Sequence, residues 1–397
     1  MPAALADLRV LDAAEGVAAG YCTRLLAGLG ADVIKIERPA RGDTLRRSGP
    51  FPSGRPHIET SGVHLHLNAA KRSITLDLRT ATGAALFARL LPSAHAVIAP
   101  AAAHPALDDA LAQAQCVVTR ISGCGSGGPR AHWRAPEIVA MALGGYLSLN
   151  GDPDREPVMV WGEQAQYQAG VHAALGIVAA LRHGEQHPGR AAERVDVAAA
   201  EAAAFLNAGA LQRWRLMRRP QVRAGARPAG FGANRLYPST VRPCADGHVH
   251  VHCHNRHHEL ISLLMEEPRL RDPDILAEPL AHAGEIDALM DRWLASRTRA
   301  QAVAAAQEMR IPMTEVRAPR EVLADQEGHL RARGFFATVE HPHAGALRMP
   351  GPPLRIDGQR WRVARAPLLG EHNVDVYCDE LGLAPRDLAR LRAAGVV

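Results

Sequence analysis

The feature that most limits what this chain can fold into is an alternation of short apolar runs with helix-patterned stretches, beginning at its eighth residue. Leu8-Arg-Val-Leu-Asp12 is a brief apolar run, about Ala18 to Leu29 reads as a helix, Gly30 stops it, and Asp32-Val-Ile-Lys-Ile-Glu37 is a second run. That is the signature of a β-α-β unit. Ser73–Leu78, Ala96–Ala99 and Cys116–Ile121 are further buried strand candidates, with a helix predicted from about Thr80 to Leu91. Strands alternating with helices imply an α/β fold whose mostly parallel sheet is covered on both faces.

A length of 397 residues allows one large or two ordinary domains, and 47% hydrophobic with 22% charged residues is a globular composition. Aromatic residues make up only 4%, so Ala, Leu and Val must fill much of the core by close helix-on-sheet packing. Long Ala-rich helices are predicted from Tyr167 to Arg182 and from Val197 to Leu216. Arg and Pro then accumulate between Arg213 and Arg227. Asp246-Gly247 marks a turn into an alternating strand that ends near His252. Helices follow at about His258–Met265, Ile286–Ser296 and Arg299–Met309, and the chain is loop-rich after Gln326 until a last helix near Pro385–Ala394. The expected division is a large domain over 1–212, a smaller α+β domain over 213–325, and a C-terminal segment over 326–397.

The net charge of +5 is spread over a long chain. Many of the basic residues are Arg, which suits a phosphorylated cofactor. No basic run is interleaved with aromatic residues, so nucleic acid is not an expected partner. The N-terminus lacks a basic region leading into a long apolar stretch, and no run of about 18 uncharged apolar residues occurs. The expectation is a cytoplasmic protein without a membrane partner. Six cysteines are scattered without paired spacing, which argues for reduced thiols rather than disulfides or a zinc knuckle. Alternate histidines 248, 250, 252 and 254 would share one strand face. They read as a metal pair, as substrate-loop contacts or as surface residues, and no metal is expected. Gly123-Cys-Gly-Ser-Gly-Gly128 lacks a following Lys-Ser/Thr and reads as a turn.

Read in order, Gly30-Ala-Asp-Val-Ile-Lys-Ile-Glu-Arg-Pro39 with Gly42-Asp43, and then Asn68-Ala-Ala-Lys-Arg-Ser-Ile-Thr-Leu-Asp77, resemble the first two signatures of the family III CoA-transferases, the carnitine and formyl-CoA (CaiB/BaiF-like) type. Ile121–Pro129, Gly144–Pro153, Arg194–Val197 and Ala366-Pro-Leu-Leu-Gly-Glu-His372 continue the resemblance in register. It implies a Rossmann-like large domain built from both chain ends, a small domain from the middle, and two subunits interlocked as rings. A tail that returns to the first domain also explains why the final loop-rich segment lacks a core of its own. Coenzyme A or acyl-CoA would be the substrate, together with a carboxylic acid, and the partner a second copy or a paralogue.

In that family an aspartate attacks the acyl-CoA thioester, and the resemblance places Gln166 at its position. An amide neither ionises near neutral pH nor attacks a thioester as a carboxylate does. Gln166 reads either as a hydrogen-bonding group for a bound carbonyl or partner, or as a drifted residue in an inactive site. Glu163 stands three residues earlier, as a substitute nucleophile or as an acidic helix start stabilised by the dipole. Glu137 matches an acidic position beside the family's active site. Arg38 and Lys71 fall where the family holds nucleotide phosphates. Val17 and Ala18 match the loop near the thioester. Asn68, Arg72 and Arg134 belong to the same set of expected cofactor contacts, and His252, His254 and Asn255 to the substrate loop. Ala99-Pro-Ala-Ala-Ala-His104 replaces the family's third contact segment, and Asp109 lies near an expected Arg. An acid there would repel phosphate and weaken or rearrange CoA binding. Three functions stay open: CoA transfer or related acyl-CoA chemistry by a non-standard mechanism, a non-catalytic subunit of a heteromeric enzyme, or the same fold binding another ligand.

Overall fold

A computed structural model describes residues 3–100, 105–223, 225, 237–253, 257–326, 328–351, 353–359 and 361–397. Two compact units divide the chain. The first comprises Met1–Gly144, Trp161–Phe205 and Gly328–Val397, and the second Gly145–Val160 and Leu206–Glu327. The segment 145–160 thus groups with the middle of the chain rather than with its sequence neighbours.

The first unit is built on six strands: β1 (Arg9–Asp12), β2 (Asp32–Glu37), β3 (Arg72–Thr75), β4 (Ala96–Ile98), β5 (Val117–Ser122) and β6 (Arg194–Ala198). All pair in parallel, in the order β3-β2-β1-β4-β5-β6. Alternate residues of these strands feed two apolar layers. Leu11, Ile34, Ile74 and Val97 pack with Phe87 and Leu90 on one face, while Val10, Val33, Ala96 and Ile98 pack with Cys22, Leu26, Ala173 and Ile177 on the other. Both faces are therefore dry, which is why the strands read as continuous apolar runs. Order reverses between β1 and β4, and in open α/β sheets such a reversal leaves a crevice at the carboxyl ends of the strands.

The C-terminal segment does return to this sheet. Tyr377 and Val376 join the first layer, the Tyr377 hydroxyl donates to the Thr75 carbonyl at 2.8 Å, and the Thr75 amide donates to the Asn373 side chain at 2.8 Å. Two expectations are corrected. The stretch from Val197 to Leu216 is not one helix: strand β6 runs to Ala198, a helix spans Ala199–Leu206, and Asn207 separates it from a second helix, Ala208–Met217. Asn207 has φ −99° and ψ 12° and leaves the helical path. The tail beyond Gln326 also holds a hairpin of Phe336–His341 with Gly345–Pro350, whose mostly exposed or half-buried residues carry little apolar alternation.

The second unit carries an antiparallel sheet, Ser239–Cys244, Gly247–His252 and Met313–Glu315. Val249 and Val251 of the middle strand point into a core with Ile261, Ile286, Met290 and Trp293, which leaves His248, His250 and His252 on the opposite face.

Buried charge is concentrated at the carboxyl end of the first sheet. Lys35 lies 2.8 Å from Asp43 and 3.3 Å from Asp12, Lys71 lies 3.2 Å from Asp12, and Arg46 lies 2.6 Å from both Glu37 and Glu59. Burial pushes the Glu37 carboxyl up, but hydrogen bonds and charge from Arg46 outweigh it and bring it down to about 2. Burial, then the charge of Arg46, lowers His64 to about 3 from an ordinary 6.5. A histidine held neutral in the fold gains a proton on unfolding below its ordinary value, so its contribution is present above pH 6.5 and is lost as pH falls toward 3. Glu37 acts in a lower window, its contribution being lost as pH falls from its ordinary 4.5 toward 2. Urea unfolding is therefore expected to show stability declining between pH 7 and 5. His64→Gln should make that decline shallower, and an unchanged slope would contradict the assignment.

Candidate functional site

A cavity of about 300 Å³ opens at the carboxyl ends of β1, β2, β3 and β5, where the strand order reverses. Its walls come from short segments that follow the strands: Ala13–Glu15, Ile36–Arg38, Leu76–Arg79 and Ile121–Gly123. Ala18 lines it from the helix Val17–Gly28, and Gln166 lines it from the first turn of the helix Gln164–Gln186. Gly123 is required on this wall, because a Cβ there would sit 2.5 Å from the Ala135 Cβ.

Glu137 positions Gln166. The Ala165 amide donates to one carboxylate oxygen of Glu137 at 2.9 Å and the Gln166 amide to the other at 3.2 Å. At 9% exposure, this carboxylate serves as a remote N-terminal cap, satisfying two amides that have no intrahelical partner and placing negative charge where the helix dipole favours it. Glu163 is the residue before the helix; its own side chain caps nothing, and its carbonyl accepts the Tyr167 amide at 2.9 Å. Burial, and then the neighbouring charge of Glu137, push its carboxyl upward. Glu163 and Gln166 thus differ in setting, one at the helix edge and one in the cavity wall.

The expected cofactor contacts separate into two groups. Arg38 lines the cavity with its Nε 3.5 Å from Glu15. Arg134 is exposed and adjoins Ala135, a wall residue. Lys71, by contrast, is buried, and its ammonium is taken up by Asp12, the Gly20 carbonyl at 3.1 Å and the Asn68 side chain at 2.9 Å. Burial, only partly offset by Asp12, lowers it to about 8. Asn68 is equally buried, with its amide nitrogen 3.1 Å from the His64 ring. Arg72 forms a fork on Asp32 at 2.9 and 2.7 Å and reaches Glu380 at 2.6 Å. Val17 packs against Leu45 and Leu67. Asp109 is exposed on the helix Pro105–Gln113 and is not a cavity residue.

Sequence reading passed over Asp77 and Arg79, which line the cavity as a bidentate pair at 2.8 and 2.7 Å. Their place just after a predicted strand was the available signal, since walls of such crevices are made there. Of the substrate-loop residues, His252 lies in the second unit with its Nδ1 2.9 Å from the Ser239 hydroxyl and its ring parallel to that of His250. Of the segment Ala99–His104, Ala99 is buried and Pro100 lines the cavity, while 101–104, His254 and Asn255 lie outside the described residues. Among the described residues no group of three His, Cys, Asp or Glu side chains is arranged for a metal ion, and no helix is long and apolar enough to cross a membrane.

Residues 5–373 match the family described as CoA-transferase family III. The chain belongs to that family. Its relatives include the formyl-CoA:oxalate CoA-transferase of Streptomyces avermitilis, 29% identical over 428 residues and covering 100% of both chains. The succinyl-CoA–D-citramalate CoA-transferase of Chloroflexus aurantiacus is 30% identical, over 100% of this chain and 98% of its own. Subunit BbsE of the succinyl-CoA:(R)-benzylsuccinate CoA-transferase of Thauera aromatica is also 30% identical, over 98% and 97%. A solved CAIB/BAIF family protein from Brucella suis shares the fold with a TM-score of 0.80 at 23% identity, covering 96% of this chain and 100% of that one. CoA transfer is the activity at the level of the family, with acyl-CoA as its substrate class.

In this CoA-transferase family member the cap on the Gln164–Gln186 helix is open to test. Glu137→Ala should cost about 1–3 kcal/mol in denaturant unfolding, the usual penalty for stranding buried amides. Exchange of the Ala165 and Gln166 amides should quicken. Glu137→Gln, which keeps one acceptor, should lose less.

Proposed function

We propose that this chain carries out CoA exchange between an acyl-CoA and a carboxylic acid, with Gln166 at the position of the family's attacking carboxylate. The observation that carries this reading is the placement of Gln166 in the wall of the switch-point crevice. The strand order supports reading the sheet as Rossmann-like, and the nucleotide would lie over its carboxyl edge. Arg38 and Arg79 are the cations available to its phosphates. Both already hold acids, Glu15 and Asp77, so phosphate must compete with those carboxylates and binding is weakened.

Gln166 can donate its amide N–H to a thioester carbonyl and so favour charge developing on that oxygen. It cannot supply the nucleophile. Glu137 has both oxygens engaged by helix amides, which leaves Glu163 as the neighbouring carboxylate free to attack. In this route a Glu163 oxygen bonds to the thioester carbon and CoA leaves as thiolate. The thiolate then attacks the glutamyl carbonyl of the anhydride, releasing the first acid and leaving a glutamyl thioester. The incoming carboxylate attacks that thioester, and the thiolate returns to the new acyl group.

A second reading has its own support. BbsE, at 30% identity, is named as a subunit, and a chain without the attacking carboxylate suits a non-catalytic partner of a paralogue. Either arrangement, interlocked copies or a mixed pair, would cover the exposed stripe Val171, Leu175 and Val178 on the Gln164–Gln186 helix.

Incubation with succinyl-CoA followed by hydroxylamine should yield a glutamyl hydroxamate at Glu163 in peptide mass spectra, absent from Glu163→Gln. A clean peptide would remove the covalent route. Gln166→Asp should raise transfer and move the hydroxamate to residue 166. If it stays silent while a purified Asp-bearing paralogue restores activity to wild type, the subunit reading replaces the catalytic one.

A further inference from the structure

The far end of the Gln164–Gln186 helix carries a side-chain cluster apart from the crevice. His183 lies in its last turn and His187 is the residue that ends it. Four residues apart, the two share one face of the helix, and their ring centroids are 4.3 Å apart. Glu193 comes to them from beyond the turn, just before β6, where its carbonyl accepts the Val118 amide at 3.2 Å and so fixes its place against the sheet. Gln166 stands at the opposite end of the helix, about 26 Å away along the axis at 1.5 Å per residue.

The hydrogen bonds of the two rings set which nitrogen is bare. His183 Nδ1 lies 2.8 Å from a Glu193 carboxylate oxygen, and His187 Nδ1 lies 2.9 Å from the His183 carbonyl oxygen. An ionised carboxylate and a carbonyl only accept, so in each bond the ring donates and Nδ1 carries the proton. In the neutral ring Nε2 is then a free lone pair. A ring N–H given to a carboxylate or a backbone carbonyl is how histidines are oriented when the other nitrogen ligates a metal ion. Two histidines at i and i+4 on one helix face are also a spacing that holds Zn²⁺. Nitrogens sharing one tetrahedral Zn²⁺ stand about 3.3 Å apart, from Zn–N bonds of about 2.0–2.1 Å, and rings at this separation can present them so. The position favours a cation as well, because carbonyls without intrahelical partners gather at a helix C-terminus, the negative end of its dipole. Arg182, the adjacent cation in the chain, is paired with Glu185 at 3.0 Å.

We propose that His183 and His187 bind one divalent transition-metal ion of the Zn²⁺ class through their Nε2 atoms, with Glu193 as the positioning carboxylate behind His183. Water fills the remaining coordination positions, since the protein supplies two donors. Imidazole nitrogens select such an ion over Mg²⁺ and Ca²⁺, which take oxygen ligands. The site lies far from Gln166 and does not depend on the transferase reading.

Calorimetric titration of Zn²⁺ into the untagged full chain, freed of metal by a chelator, tests this. One saturable site per chain is expected. His183→Gln/His187→Gln should abolish it, and Glu193→Ala should weaken it about 10–100-fold, the loss typical of removing a carboxylate behind a metal-bound histidine. Zn²⁺ should raise the melting temperature of the wild type and leave that of the double variant unmoved. His187 is exposed and His183 and Glu193 are half-buried, and unchanged circular dichroism spectra would show that the variants fold. No binding by wild type overturns the site. Zn²⁺ held as tightly by the double variant also overturns it, and would place the ion elsewhere, as on the strand histidines 248, 250 and 252. Equal binding of Mg²⁺ overturns the imidazole donors, and full affinity in Glu193→Ala overturns the role of the carboxylate.

Discussion

Charge buried at the carboxyl end of the sheet is the constraint on which the rest of this structure depends. Asp12, Lys35, Lys71 and Asp43 form one chain of contacts, and Glu37, Arg46 and Glu59 a second. Removing such ions from water costs several kcal/mol each unless partners are well placed, so every member restricts where the others can be. The consequence is spatial. Loop 38–60 is tied to β2 through Arg46, and the tail is tied to the same residues, because Arg46 donates to the Pro367 carbonyl and Glu59 accepts the Leu369 amide. The crevice takes part of its wall from segments that this network holds.

A similar economy governs the mouth of the crevice. The Gln164–Gln186 helix begins against Glu137, which comes from a different helix, and so a carboxylate that sequence comparison marks as an active-site acid works here as a cap. Its charge sits where a helix N-terminus would otherwise attract an anion, and the effect on the neighbouring Glu163 is to raise its carboxyl. The chemistry open to this site therefore follows from which carboxylate is committed to backbone amides and which is not.

The strands and most helices were legible because their patterns are local. Thr80 was expected at a helix start and caps the helix Ala81–Leu90, accepting the Gly83 amide at 3.0 Å. The helix expected at His258–Met265 has those bounds. Alanine bias hid the break at Asn207, although Asn is a residue favoured at helix ends and was the available signal. At the site, type and position in sequence identified the wall residues Ala18, Arg38 and Gln166, but could not tell Arg38, which faces the cavity, from Lys71 and Arg72, whose charges are spent inside the protein. Arg79 went unread because the cavity beside it and its sequence neighbour Asp77 exists only once β3 stands next to β2.

By itself the sequence determined that strands and helices alternate, that the strands are apolar on both faces, that the family is CoA-transferase family III, and that residue 166 is an amide. Those properties live in periodicity, motif spacing and side-chain type, which need no partner in space. Tertiary structure alone decided which cations remain available and that Glu137 caps a helix distant in sequence. A charge has the same identity everywhere along a chain, but its chemistry is set by what lies within a few ångströms, and folding supplies those neighbours from residues far apart in sequence.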